Sequence, residues 1–153
     1  MTSICTMGEA LRQALVATFG DWLETCGCLR EGPKEVTLVA LEGSEPVGVL
    51  SVYPLAYPPP LTGDRDAYID VIEVAESHRR RGVARALVTA GEDWARRAGF
   101  RQIRAWSSED KAEAIPMWKA LGYCLCPAVM RGQSVHPESA GKPILGYYVA
   151  KLL

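Results

Sequence analysis

A basic segment between an apolar run and an amphipathic run contains the residues of this sequence that are best suited to chemistry. Residues 68–74 are mostly apolar, and four residues further on the chain reads Arg79-Arg80-Arg81-Gly82 before a helix-like pattern begins. A helix N-terminus presents unpaired backbone N–H groups and the positive end of the helix dipole. Anions bind at such ends, and arginine side chains add charge that suits phosphate oxygens. We therefore expect a phosphate or pyrophosphate site at this segment.

Two common phosphate-binding loops do not match this segment, but a third does. The chain has no G-x-x-x-x-G-K-[ST], and its glycines lack the spacing of the dinucleotide fingerprint. Residues 79–84 read R-x-x-G-x-A, and residues 114–123 read AIPMWKALGY. Here the sequence resembles the GCN5-related N-acetyltransferases (GNAT family), which carry a Q/R-x-x-G-x-G/A loop around the pyrophosphate of acetyl-coenzyme A and a downstream A-x-x-L-Y-x-x-L-G-F motif. Together the two motifs cover about residues 68–126.

The resemblance implies which residues bind acetyl-coenzyme A. The carrier loop is expected to hold the pyrophosphate through its backbone N–H groups, and it consists of Arg79, Arg80, Arg81, Gly82, Val83, Ala84 and Arg85. By the same resemblance, Ile72 and Val74 pair through their backbones with the pantetheine arm, as a pseudo-strand. A backbone N–H at this strand is also a candidate donor for the oxyanion.

Acetyl transfer to an amine also needs a group that removes a proton. A protonated alkyl amine, with a pKa of about 10, is not a nucleophile, so a base or a water chain is required. On an extended strand the even-numbered residues from 68 to 74 share one face. In several GNAT members the positions of Tyr68 and Asp70 point at the acceptor amine. Asp70 is therefore the first candidate for the base, acting through water. The alternatives for Asp70 are a carboxylate paired with an arginine or exposed at an edge.

Two further side chains near Asp70 are candidates for the catalytic machinery. Glu73 is the second candidate for the base, because a bulge in this strand would turn its carboxylate toward the cleft. Tyr68 is a candidate hydrogen-bond partner of the water or of the acceptor, and a tyrosine of the core is the alternative.

The downstream motif departs from the family at two positions. Trp118 stands where many members have a tyrosine acid, and an indole N–H does not usefully protonate a thiolate. Lys111 replaces an asparagine that often contacts the carrier. The general acid is therefore unassigned, with Tyr123 as a weak substitute, and a noncatalytic acyl-coenzyme A sensor is an alternative reading.

Composition limits the class of protein. The chain has 153 residues, 48% apolar and 23% charged, with a net charge of −1, which predicts a single N-acetyltransferase domain over residues 1–153 and no general attraction to nucleic acid. No run approaches the roughly 20 apolar residues of a membrane span, and no secretory leader is evident, so we expect a cytoplasmic protein. The five cysteines include two C-x-C pairs, whose spacing is shorter than in most structural zinc sites, so no metal is predicted.

The order of the predicted elements indicates an α/β (α+β) fold. Helices are expected at residues 8–23, 83–98 and 112–121, and strands at 1–7, 36–41, 46–53, 68–74, 102–107, 123–130 and 143–153. Residues 53–66 contain four prolines, which disfavour regular secondary structure, so this segment is expected to be irregular. We infer a mixed, mostly antiparallel sheet of about six to seven strands with helices on both faces. The resemblance adds a V-shaped splay between two central strands.

The acceptor is expected to be a small cationic amine. An acidic rim around the motif strand would attract a cation, and it consists of Asp64, Asp66, Asp70, Glu73 and Glu76. Residues 68–87 also resemble the aminoglycoside 3-N-acetyltransferases. The predicted activity is transfer of an acetyl group from acetyl-coenzyme A to a primary amine by direct attack in a ternary complex. The alternative is a protein or peptide N-acetyltransferase, in which residues 54–66 and 132–142 form an open groove. Family resemblance also suggests a homodimer, with residues 147–150 at a paired strand edge.

Overall fold

The computed structural model describes residues 2–56, 65–131 and 143–153. The strands are β1 (Thr2–Thr6), β2 (Glu31–Gly32), β3 (Glu35–Glu42), β4 (Glu45–Ala56), β5 (Arg65–Val74), β6 (Gln102–Ser108), β7 (Cys124–Arg131) and β8 (Pro143–Leu152). The α-helices are α1 (Glu9–Phe19), α2 (Trp22–Thr25), α3 (Val83–Arg97) and α4 (Ile115–Ala120). Short 3-10 turns lie at Glu76–His78 and Glu109–Ala114.

The described strands form one mixed sheet. Their order is β1-β3-β4-β5-β6-β8-β7, and the two-residue β2 adds to β3. Neighbouring strands are antiparallel, except that β5 and β6 run parallel because α3 connects them as a crossover. The predicted mixed, mostly antiparallel sheet is confirmed, with eight strands rather than six or seven.

Helices cover both faces of the sheet, as predicted. The front face, which we define as the side of α1 and α2, buries Leu15 against Val49. The back face, the side of α3 and α4, buries Leu87 and Trp118 in a larger cluster with Leu50. The two clusters fix the helices to opposite sides of the central strands, so each half of the later site has its own support.

The start of α3 is held close to β4 by a glycine. A Cβ atom added at Gly48 would lie 2.9 Å from Val83 and 3.0 Å from Leu87, both on the first turns of α3. A side chain at position 48 would therefore push the helix start away from the sheet. This close packing positions the loop that precedes α3.

The first predicted helix is divided in the structure. The helix expected over residues 8–23 ends at Phe19, and α2 begins separately at Trp22. Gly20 has a φ of 108°, a conformation that no helix contains and that glycine adopts without strain. After the break, Trp22 packs against the front-face cluster, to which Cys28 also belongs.

Strands β4 and β5 extend into the region expected to be irregular. Pro54 pairs with Ala67, and Ala56 pairs with Arg65, so residues 53–56 and 65–66 belong to the hairpin. Proline is compatible with a strand position that does not donate a ladder hydrogen bond. The predicted groove residues 57–64 and 132–142 lie outside the described ranges.

Residues 147–150 lie inside the sheet rather than at its edge. Strand β8 is paired on one side with β6 and on the other with β7, with Val149 opposite Ala105 and Leu125. The edge strand at this end is β7, because the last strand returns between its two predecessors. The strand edge predicted at residues 147–150 is therefore wrong.

Candidate active site

A cleft opens where β5 and β6 separate. The two strands pair over three residues, Ala67 to Ile69 on β5, and then diverge. The cleft that opens there has a volume of about 1440 Å³ and reaches from the start of α3 to the segment after α2. This exceeds the roughly 300–1,000 Å³ of a common small-molecule site, so it has room for an extended carrier and a second reactant.

The carrier loop, residues 79–85, forms one end of the cleft. Gly82 precedes α3 with a φ of 84°, and no side chain of the described residues caps the helix start. Arg80 also has a positive φ, of 63°. The first N–H groups of α3 are therefore open to the cleft, as anion binding at a helix N-terminus requires.

Most of the predicted carrier residues line the cleft. They are Ile72, Val74, Arg79, Arg80, Gly82, Val83, Ala84 and Arg85. The side chains of Ile72 and Val74 pack toward the back-face cluster, so these residues would offer their backbone to a ligand. The Val74 carbonyl already accepts a hydrogen bond from Arg79 Nε at 3.3 Å.

Arg81 is the exception among the arginines of the loop. Its guanidinium donates to Glu42 Oε1 at 3.0 Å, and it is not among the residues that line the cleft. His78 Nε2 lies 2.8 Å from the other oxygen of Glu42. The hydrogen bond from His78 and the charge of Arg81 lower the pKa of Glu42. The prediction that Arg81 offers its side chain to phosphate is corrected, because that side chain ties the loop to β3.

At the other end of the cleft, a bulge decides which side chains of β5 face the acceptor. Ser51 pairs with Val71 but Val52 pairs with Ile69, so Asp70 is the extra residue. Glu73, opposite Val49, thereby lies on the front face together with Tyr68, opposite Tyr53. The predicted alternation is wrong at this point, and the alternative of a bulge that brings Glu73 to the cleft is correct.

The carboxylate of Asp70 is paired with an arginine, as one of its predicted alternatives stated, although the sequence did not identify which arginine. Arg30 Nη2 donates to Asp70 Oδ2 at 3.2 Å, and the guanidinium lies 4.3 Å from the centre of the Tyr53 ring. The side chain of Arg30 is 30% exposed to solvent and that of Asp70 is 26% exposed. Arg30 lies 40 residues before Asp70 in a connection between elements, and no local pattern links the two positions.

Two groups near Asp70 are protonated at neutral pH. Burial, with the nearby Tyr53 and Asp70, raises the pKa of Tyr68 to about 12. Burial, with the charge of Asp70, raises the pKa of the Cys28 thiol to about 11. Tyr68 thus faces the cleft as a hydrogen-bond donor, and Cys28 as an unreactive thiol.

The predicted acidic rim is smaller than expected. Asp70 and Glu73 line the cleft, and Glu73 has no ion-pair partner in the described part of the chain. Asp66 is 1% exposed and is paired with Arg104 and Gln102, so it belongs to the interior. Glu76 is exposed but does not line the cleft, and Asp64 lies outside the described residues. Of the described members of the predicted rim, Asp70 and Glu73 line the cleft, and Glu109, Asp110 and Glu113, which the rim did not include, line it as well.

The downstream motif provides the wall of the cleft but no acid. Trp118 lines the cleft, is 2% exposed, and packs edge to face on Tyr123 with ring centres 4.8 Å apart. Tyr123 does not line the cleft, and burial and the neighbouring Glu92 raise its pKa. Tyr123 is therefore not placed to protonate a leaving thiolate. Lys111 does line the cleft.

The cysteines show no metal-binding arrangement in the ranges that the structure describes. All five are free thiols, and no three potential metal ligands are grouped among the described residues. No helix within these ranges is both long enough and apolar enough to cross a membrane.

The structure is an open mixed sheet in which one strand pair diverges, with a basic helix start at the cleft between the two strands. A family model described as the acetyltransferase (GNAT) family matches residues 6–123. The chain therefore belongs to the GNAT family, and its reaction is acetyl-coenzyme A-dependent acetyl transfer.

Solved structures share this fold at low sequence identity. The ribosomal-protein-S18-alanine N-acetyltransferase from Escherichia coli aligns with a TM-score of 0.74 and 14% identity over 99% of this chain and 94% of its own. Arabidopsis thaliana NAA60, in complex with acetyl-CoA, aligns with a TM-score of 0.72 and 14% identity over 100% and 99%. A putative streptothricin acetyltransferase from Bacillus anthracis, also in complex with acetyl coenzyme A, aligns with a TM-score of 0.63 and 15% identity over 83% and 67%. No curated protein sequence matches the chain.

Proposed function

We propose that this protein transfers the acetyl group of acetyl-coenzyme A to a primary amine of a small cationic acceptor. The observation that carries the proposal is one continuous cleft that connects the open N-terminus of α3 with Asp70 and Glu73. A carrier bound at the first end would deliver its thioester toward the second. The two carboxylates would favour a cationic acceptor over a neutral or anionic one.

The residues at the α3 end fit the chemistry of a nucleotide carrier. The first turn of α3 offers N–H groups for the pyrophosphate, and Arg79, Arg80 and Arg85 offer guanidinium groups for its oxygens. The separated strand of Ile72 and Val74 is proposed to pair with the amide groups of the pantetheine arm. Coenzyme A supplies the activated thioester, and the protein supplies its placement.

In the proposed reaction the acceptor attacks directly within a ternary complex. The nitrogen lone pair forms a bond to the thioester carbonyl carbon, the carbon–sulfur bond breaks, and the electrons leave with the sulfur as thiolate. The ammonium group of the acceptor must first lose one proton, which passes through water to a carboxylate. After the attack the nitrogen loses a second proton as the amide forms, and this proton goes to water or to the departing thiolate. A backbone N–H of β5 would stabilise the oxyanion that develops on the carbonyl.

Asp70 remains the first candidate for the base and Glu73 the second. The bulge turns Asp70 toward the cleft, and its contact with Arg30 uses Oδ2, so Oδ1 is available to a water or an ammonium group. Glu73, which is partly buried, lines the same cleft three residues further along β5. Tyr68, which keeps its proton, would donate a hydrogen bond to the acceptor or the water. The thiolate would leave unassisted or take its proton from water.

A protein or peptide acceptor is the second candidate, and one comparison favours it. The fold is shared with an enzyme described as acetylating an alanine of a ribosomal protein. An α-amino terminus is also a cationic amine, so the same two carboxylates would serve it. The acceptor's size, rather than its charge, separates the two candidates.

The test is thiol release from acetyl-coenzyme A across polyamines, aminoglycosides, amino acids and short peptides. The proposal expects turnover with one or more small cationic amines and little with N-acetylated controls. Preference for peptides would transfer the assignment to the second candidate. Tight acetyl-coenzyme A binding without release for every acceptor would contradict both and favour a sensor of acyl-coenzyme A.

Three related expectations stay predictions. They are a single N-acetyltransferase domain over residues 1–153, a cytoplasmic location and a homodimer. Size-exclusion chromatography with light scattering would test the last of them.

A further inference from the structure

We infer that Arg30 is a positioning residue for acetyl transfer: it orients the Asp70 carboxylate and so sets how well the cleft accepts a cationic amine. This inference rests on the proposed function. It concerns a residue outside both family motifs, in the connection between α2 and β2.

The backbone of Arg30 is fixed by a buried threonine. Thr37 on β3 is fully buried, and its hydroxyl accepts a hydrogen bond from the Arg30 N–H at 2.7 Å. The same hydroxyl donates to the Arg30 carbonyl at 3.0 Å. A single side chain therefore satisfies both backbone groups of Arg30, which ties the connection to the sheet.

The side chain of Arg30 is fixed by an aromatic ring. Its guanidinium lies over Tyr53 at 4.3 Å, and Tyr53 packs edge to face on Tyr68 with ring centres 5.5 Å apart. A stacked guanidinium keeps its planar donors in one direction, which a lysine ammonium would not do. These donors point to Asp70 at 3.2 Å and, more distantly, to Glu35 at 4.0 Å.

The arrangement has a consequence for the acceptor. Asp70 is the extra residue of a bulge, so the strand ladder alone does not fix its side chain. The contact with Arg30 holds one carboxylate oxygen of Asp70, a residue that lines the cleft. An exposed ion pair contributes little to stability, so the main effect of Arg30 is expected on activity.

The experiment is a double-mutant cycle with Arg30→Gln and Asp70→Asn, measured with the amine that gives the fastest turnover in the acceptor panel. Arg30→Gln is expected to lower kcat/KM for the amine about tenfold, a coupling in the range found for contacting residues. The KM for acetyl-coenzyme A is expected to stay unchanged. In the Asp70→Asn background, Arg30→Gln is expected to have no further effect. Arg30→Lys is expected to recover part of the loss.

Arg12→Gln provides the matched control. Arg12 has a similar exposure of 25% and pairs with Glu24 and Glu31, but it does not contact Asp70. The Arg12→Gln variant is expected to leave kcat/KM for the amine unchanged. A second readout is independent of turnover: the guanidinium signals of Arg30 in ¹⁵N NMR should be protected from exchange in the wild type and lose that protection in Asp70→Asn.

The outcomes separate the inference from the proposed function. Equal losses from Arg30→Gln in both backgrounds, or Arg30 signals that Asp70→Asn does not change, would overturn the inference alone. A wild-type protein that acetylates none of the amines would overturn the proposed function and this inference with it.

Discussion

The two ends of the cleft are built in different ways. The carrier end comes from one continuous stretch, in which the end of β5, the loop and the first turn of α3 follow each other directly. The acceptor end combines Arg30, Tyr53 and Asp70, which belong to three separate segments. The first end depends on local backbone geometry, and the second depends on how distant segments pack. Substitutions should therefore affect the two ends in different kinetic parameters.

The largest effect is expected from Asp70→Asn at the acceptor end. Loss of the first candidate base should lower kcat by about a hundredfold, the lower range for general base catalysis. The amide keeps the size of the side chain, so the KM for acetyl-coenzyme A should not change. Steady-state kinetics would measure both. A kcat within twofold of the wild type would remove Asp70 from the chemistry, and Glu73→Gln would then be the informative variant.

A smaller but still large effect is expected from Gly82→Val at the carrier end. The left-handed backbone at φ 84° disfavours a β-branched residue by at least about 1–2 kcal/mol. The expected result is a rise of more than tenfold in the KM for acetyl-coenzyme A. A Cβ at this position would meet nothing within 4 Å, so the effect would come from backbone conformation and not from a clash.

Gly82→Asn is the control for this prediction. Asparagine tolerates the left-handed region far better than valine, so carrier binding should be largely retained. Equal losses in both variants would show that the loop needs the absence of a side chain rather than its backbone angle.

An intermediate effect is expected from Arg85→Gln, with Arg81→Gln beside it. A charge-assisted hydrogen bond contributes about 1.5–3 kcal/mol, so loss of an arginine that contacts phosphate should raise the KM for acetyl-coenzyme A about tenfold. Arg81 donates to Glu42, so its loss should have a weaker effect. Isothermal titration with coenzyme A would compare them. If Arg85→Gln and Arg81→Gln lose the same affinity for coenzyme A, the different positions of the two guanidinium groups do not affect carrier binding.

The smallest effect is expected from Glu42→Gln, as a difference in stability that depends on pH. The pKa of Glu42 is lower in the folded protein, so its contribution is present above the unfolded pKa and is lost as pH falls through the folded value. The wild type should exceed the variant slightly in urea midpoint at pH 7, and the two should converge at acidic pH. A gap that widens on acidification would contradict the sign.

Much of the fold followed from patterns along the chain. The apolar face of residues 83–98 and the glycine after it predicted α3 almost to its ends, and the spacing of R-x-x-G-x-A predicted the carrier loop. The strands predicted at residues 36–41 and 46–53 are present, and they pair as the β3–β4 hairpin. These features depend on residues within about one helix or hairpin of each other, which is the range over which periodicity and turn chemistry act.

Other features depended on contacts that no local pattern encodes. The position of β8 between β6 and β7 is a choice among possible strand pairings, and sequence order alone favoured the edge. The bulge at Asp70 depends on how β5 pairs with β4, and it places Glu73 on the front face, together with Tyr68, rather than on the opposite face. Asp66 was expected on an acidic rim, but pairing with Arg104 allows it to be buried.

The sequence by itself determined the family, the carrier loop and the order of the elements, because each depends on residue types at a fixed spacing within a short stretch of chain. Only the tertiary structure decided that Arg81 ties the loop to β3 and that Tyr123 lies behind Trp118 and does not line the cleft. It alone brought Arg30 to Asp70, across 40 residues of chain. The physical reason is that an ion pair depends on distance in space, which packing sets, whereas a helix start depends on residues adjacent in the chain.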